Sequence, residues 1–184
     1  MRIFGVDPGS VRTGYGCIET AGGGHQVVDC GVVALPARLP FSEKLMLLHT
    51  SLVALLSRHR PDAMAVEDLF HAKNARSALK LGHVRGVVLL AGAQAGIPVA
   101  EYAATEVKRA VVGYGRAEKH QVQKMVTLLL GLDEAPSPLD VSDALAVAVC
   151  YAHAHGPVQT DLSTQPQAPR SWRRYHPNPP GNRS

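Results

Sequence analysis

Hydrophobic positions along this chain change rhythm several times, and each change marks an element. Residues 1–8 and 12–19 are apolar-rich runs joined at Pro8-Gly9-Ser10, which reads as two strands and a turn. A second turn at "AGGGH" (21–25) leads into "QVVDCGVVAL" (26–35), so the chain opens as an antiparallel meander of three strands. Between 41 and 60 the period lengthens: Leu45, Leu48, Leu52 and Leu55 recur at helical spacing. The run "DAMAVEDL" (62–69) is short, apolar and ends in acids, which predicts a strand parallel to the first. A helix over about 73–94, a fifth strand at 97–102 and helices near 105–112, 117–130 and 138–154 complete the series. A meander followed by alternating helix and strand predicts an α/β domain: a five-stranded mixed sheet, part antiparallel meander and part parallel, flanked by helices.

From Pro157 the pattern stops. Six of the last 28 residues are proline and large apolar residues nearly vanish, so this segment cannot bury enough surface to offset its ordering entropy. The expected division is a folded domain over 1–156 and a disordered Pro/Arg-rich tail over 157–184. Arg170, Trp172, Arg173 and Arg174 could touch nucleic acid, or the tail could simply aid solubility.

Composition narrows the class. The chain has 184 residues, 46% of them apolar, which suits one domain with a proper core. No uninterrupted apolar stretch reaches the ~18 residues of a membrane span. The first strand begins at Met1, leaving no room for a secretory leader, so a cytoplasmic location without membrane attachment is expected. Cys17, Cys30 and Cys150 are scattered and odd in number, as reduced thiols of a cytosolic protein are.

Charge is unevenly distributed. Residues 73–124 carry nine Lys/Arg against three Asp/Glu, a net +6, while residues 125–156 carry four acids and a net −4. A basic stretch beside acidic flanks suits a polyanion held over a carboxylate site, although a solvated helix face has the same composition.

Four carboxylates stand at element ends. Asp7 closes the first strand and Glu67 the fourth, at the edge where parallel strands bind ligands. Asp140 and Asp143 lie three apart at the start of a helix and project from one face. Two unit charges ~4 Å apart repel by roughly 4 kcal/mol at an effective dielectric of 20, so converging acids need a cation or a proton. All-oxygen ligands favour Mg²⁺ or Mn²⁺ over zinc. Two such ions can activate a water and steady the leaving oxygen of a phosphodiester. Each acid also has a plainer reading. Ser137 to Asp140 resembles a capping box with Pro138 at the first helical position, a strand-end Glu67 is equally at home in solvent, and Asp7 also fits the start of a Pro-Gly turn or a phosphate cradle. Glu67's neighbour Asp68 should point to the opposite face of the sheet. His153 and His155 are two apart and cannot face one ion side by side on a helix.

Four stretches in one order, "GVDPGSVRTGYG", "VEDLFHAKNARSALKLGHVRGV", "TEVKRAVVGYGRAEKHQVQKMV" and "LDVSDALAVAVCYAH", together resemble the RuvC family of bacterial Holliday-junction resolvases, from Met1 to about His155. The resemblance implies an RNase H-like fold, a homodimer, and two symmetric Mg²⁺-dependent nicks across a four-way DNA junction in recombination and repair. It implies two ions per subunit, with Mn²⁺ able to substitute, and partnership with the branch-migration motor proteins RuvA and RuvB. By position, the family's catalytic and metal-binding acids fall on Asp7, Glu67, Asp140 and Asp143. Its junction-contacting aromatic falls on Phe70, which the hydrophobic pattern alone reads as core, and its basic residues fall on Lys108 and Lys119. Lys119 is then a catalytic contact to phosphate or transition state, and Lys108 a DNA contact. Arg76, Lys80 and Arg85 are candidate backbone contacts by charge and helical spacing alone. The helix over 73–94, with its "GVVLLAGA" stretch, is the candidate dimer interface.

Three alternatives differ in class. A sugar-kinase or actin-type ATPase also opens on an Asp-x-Gly-Ser/Thr turn but needs a second phosphate loop, which this chain lacks. Another RNase H-like nuclease, such as one trimming ribosomal RNA precursors, would share the acids. A junction-binding protein without catalysis would have no use for all four.

Overall fold

The computed structural model describes residues 1–68 and 74–155; Phe70 and the tail from Pro157 lie outside them. Five strands and five helices follow in the order β1 (Arg2–Asp7), β2 (Arg12–Ala21), β3 (Gly24–Ala34), α1 (Phe41–His59), β4 (Ala63–Asp68), α2 (Ala75–Gln94), β5 (Val99–Ala103), α3 (Ala104–Val112), α4 (Lys119–Leu129) and α5 (Leu139–His155). The sheet order is β3-β2-β1-β4-β5. β1 and β2, and β2 and β3, pair antiparallel, while β4 lies parallel to both β1 and β5. This is the mixed sheet the pattern predicts.

Strand alternation sorts the core into two layers. Ile3 on β1 and Ala63 and Ala65 on β4 face α3, α4 and α5. Phe4 and Val6, with Met64 and Val66, face α1 and α2. α1 reverses toward β4 at Arg60, whose left-handed φ of 44° lets its N–H bond Leu56 O at 2.8 Å. α2 starts under a side-chain cap, with Ser77 N donating to Asn74 Oδ1 at 2.9 Å.

α5 is apolar nearly all round because it is buried nearly all round: Val141 to Ala152 are buried except for Asp143. It lies on the sheet at backbone-contact range. A Cβ on Gly14 would stand 2.0 Å from Asp140 O, and one on Gly5 would stand 2.1 Å from Ala144 O. Gly14 and Gly16 make room on β2 for this helix. Its first residue is Leu139, so Pro138 precedes the helix rather than opening it; the Pro138 carbonyl accepts from Val141 N at 2.9 Å.

The "GVVLLAGA" stretch of α2 divides between two faces. Val88, Ala91 and Gly92 pack inward, where Gly92 meets Val99 and Met64. Leu79 and Leu90 point outward at 65% and 50% exposure, with Gly82 and Gly86 open beside them.

Candidate active site

The site is built by three elements meeting at one sheet edge. Asp7 and Glu67 each stand one residue past the last paired position, Val6 against Val66, on adjacent parallel strands. Both share the sheet face of Ile3, Ala63 and Ala65, the face α5 covers. The close pass of α5 over Gly14 brings Asp140 to the same edge, and Asp143 follows one turn later. Asp7, Glu67 and Asp143 line a cavity of about 230 Å³ together with Lys108 and Lys119, over apolar walls that include Val107 and Val122. The larger cavity, about 380 Å³ between α1 and α2, is lined by Val53, Leu56, Ala91 and Ile97 among others and contains no acid.

Electrostatics mark the same place. Burial, then repulsion from Glu67 and Asp143, pushes the Asp7 carboxyl up to about 8. Glu67 is also raised, by burial first and then by Asp143, while its hydrogen bond with Asp7 pulls the other way. The two neighbouring carboxyls therefore hold a proton between them that isolated carboxylates would release. Lys119 Nζ donates to Asp143 Oδ2 at 2.9 Å, and that bond raises the lysine above its ordinary value. Arg12 Nε lies 2.5 Å from Asp140 Oδ2, a contact close enough for an ion pair though not aligned as a hydrogen bond.

The donor set fits a hard divalent cation. It is carboxylate oxygen only, and a carboxyl as high as Asp7 ionises readily once a cation replaces its proton. Among the described residues no three His, Cys, Asp or Glu side chains close around one point. A cation here would thus be shared between one or two carboxylates and water or phosphate oxygens, which is the habit of Mg²⁺ and not of zinc.

The remaining sequence candidates are dispersed. Arg76, Lys80 and Arg85 ride on α2, across the sheet from the acids. Lys80 Nζ sits 5.9 Å from the Phe41 ring centre. Arg85 is held by Asp68 at 3.3 Å and by Glu101, so phosphate would have to displace two carboxylates to reach it. Asp68 indeed points away from Glu67. His153 bonds Ala110 O at 3.1 Å and His155 stacks on Tyr151, both at the far end of α5 from Asp140. Arg12 was not among the sequence candidates. Alternation offered the signal, since Arg12, Gly14, Gly16 and Ile18 share one face of β2.

A family profile described as "Crossover junction endodeoxyribonuclease RuvC" matches residues 3–151. The chain belongs to the RuvC family of crossover junction endodeoxyribonucleases. It is 48% identical over 177 residues to the RuvC of Pelobacter propionicus, covering 96% of this chain and all of that one. It is 52% identical over 153 residues to the RuvC of Pelotomaculum thermopropionicum, covering 83% and 93% of the two. Among solved structures, Thermus thermophilus RuvC superimposes with a TM-score of 0.76 at 37% identity, over 83% of this chain and 94% of that one. The same protein in complex with a Holliday junction substrate matches equally, at 34% identity. The yeast mitochondrial resolvase Ydc2, at 13% identity and a TM-score of 0.61, shares the fold. Membership in the RuvC family sets aside the kinase-like and ribosomal-RNA-trimming alternatives. The RNase H-like α/β fold expected from the resemblance is the fold observed. No helix among the described residues is long and apolar enough to cross a membrane.

Proposed function

We propose that this protein resolves Holliday junctions in recombination and repair by paired, symmetric nicks, with Asp7, Glu67, Asp140 and Asp143 as its catalytic acids. One observation carries the reading: four carboxylates from two strands and a helix meet at one sheet edge beside Lys108 and Lys119. These acids would hold two Mg²⁺ ions per subunit, with Mn²⁺ as a substitute. When bound, such ions supply a nucleophilic water and stabilise the leaving oxygen of the phosphodiester. Asp7 and Glu67, whose raised carboxyls a cation's charge would help ionise, would hold the metal together with Asp140 and Asp143. Lys119, freed from Asp143, meets negative charge developing on phosphate, and Lys108 holds the backbone across the same cavity. The products are 5′-phosphate and 3′-hydroxyl ends that a ligase can seal.

Phe70 lies two residues past the end of β4, and the family resemblance gives it a stacking role near the crossover. Base–aromatic stacking is worth ~1–3 kcal/mol. Arg76 and Lys80, and Arg85 once displaced from its acids, would extend the backbone contacts. The outward face of α2, with Leu79, Gly82, Gly86 and Leu90, supports a homodimer that puts two sites on opposite strands. A cytoplasmic protein of two parts, a nuclease domain over 1–156 and a tail over 157–184, working with RuvA and RuvB, completes the proposal.

The test offers the protein a synthetic four-way junction, a linear duplex and an RNA–DNA hybrid, each with Mg²⁺ or EDTA. Paired nicks on the junction alone, lost in EDTA and in Asp7→Asn, are expected. Equal cutting of linear duplex, or cutting in EDTA, would overturn the reading. Phe70→Ala should keep junction binding and weaken cleavage, and unchanged cleavage would rule out the stacking role.

A further inference from the structure

Four acids meet three basic side chains here, Arg12, Lys108 and Lys119, and two of these make specific ion pairs. Lys119 takes Asp143 at 2.9 Å and Arg12 takes Asp140 at 2.5 Å. Asp7 and Glu67 have no ion-pair partner among the described residues. Arg12 is delivered by a rigid frame. Thr13 is fully buried, and its hydroxyl donates to Gly9 O at 3.2 Å and accepts from Gly9 N at 3.3 Å. Leu35 N bonds Val11 O at 2.8 Å, and Arg12 itself pairs with Ala34. The side chain nevertheless stays half exposed, at 50%, while Asp140 Oδ2 is buried and makes no aligned hydrogen bond. One end of the pair is therefore committed and the other is free to leave. A guanidinium recognises carboxylate and phosphate with the same planar fork, so a DNA phosphate is a ready second partner.

We propose that Arg12 is an exchangeable counterion: it occupies Asp140 until DNA arrives, then transfers to a backbone phosphate and releases Asp140 to the metal. Arg12 is thus a positioning residue that ties metal loading to substrate binding. The idea rests on the functional reading above for the identity of the cation and the substrate, but it makes its own prediction. A cation that competes for Asp140 weakens metal binding in the absence of DNA, whereas one that merely orients Asp140 strengthens it. The sign separates the two.

Mn²⁺ binding without DNA, followed by the electron paramagnetic resonance of free Mn²⁺, should tighten about twofold to fivefold in Arg12→Gln, the range of a partly exposed ion pair. Arg12→Lys should stay near the parent. Unchanged or weaker Mn²⁺ binding in Arg12→Gln would overturn the proposal. A second measurement does not depend on that variant alone. In EDTA, Asp140→Asn should bind a synthetic four-way junction more tightly with a steeper salt dependence, and Arg12→Gln/Asp140→Asn should lose the gain. An equal gain in both backgrounds would show that only net charge changed, and would also overturn it. Neither readout requires cleavage, so failure here and failure to cut junctions are distinguishable.

Discussion

Asp7→Asn should make the metal-free protein more stable while abolishing its activity. Burial and the neighbouring acids hold the Asp7 carboxyl at about 8 against an ordinary 3.8. The native state therefore keeps a proton that the unfolded chain releases. Such a group favours the fold fully below about pH 4, and that contribution is lost progressively as pH rises toward about 8. At about 1.36 kcal/mol per pH unit the full difference is roughly 6 kcal/mol. Only part is recoverable, because the carboxyl borders a cavity that water can enter and because the replacement amide is itself polar. The amide can donate to Glu67 in place of the shared proton. About 1–3 kcal/mol at pH 8 is the expected gain, a rise in Tm of about 2–10 °C for a chain of this size. Thermal melts in EDTA at pH 4.5 and pH 8 provide the assay. The variant should lead clearly at pH 8 and hardly at pH 4.5, and added Mg²⁺ should close the gap by stabilising the parent alone. A variant less stable at pH 8, or an equal difference at both pH values, would refute the reasoning.

The same proton should govern metal affinity: the Mg²⁺ concentration for half-maximal junction cleavage should fall about tenfold per pH unit from pH 6 and level off near pH 8, and a flat profile would exclude Asp7 as the group displaced. Gly14→Ala puts a methyl 2.0 Å from the backbone oxygen of Asp140, so about 1–3 kcal/mol of stability in urea unfolding and most cleavage should be lost together. Leu79→Glu with Leu90→Glu, both on the outward face of α2, should give a folded monomer in sedimentation velocity that still binds metal but no longer makes paired nicks.

Much of this was legible in the order of residues because two periodicities carried it. Period two placed Asp7 and Glu67 on one face and Asp68 on the other, and the strand-end positions brought the two site acids together. Helical spacing put Asp140 and Asp143 on one side of α5. What escaped were contacts made between elements distant in sequence. Arg12 reaches Asp140 only because α5 crosses the sheet at Gly14, a docking geometry that local pattern does not encode. Arg85 looked like a free cation because its partners, Asp68 and Glu101, come from two strands that flank its own helix in sequence. The pattern alone does not divide α2 into an inward and an outward face, because "GVVLLAGA" is apolar on both sides.

Glu67 and Asp68 are joined by one peptide bond yet serve opposite sides of the molecule, one facing the cavity and the other anchoring Arg85. Their chemical similarity hides a strict reading frame. Swapping the two carboxylates would alter each side chain by a single methylene, whereas deleting one residue of β4 ahead of Glu67 would hand the cavity the scaffold's acid and leave Arg85 facing the wrong neighbour. In this strand, evolutionary drift in side-chain length should be tolerated far better than a change in residue count.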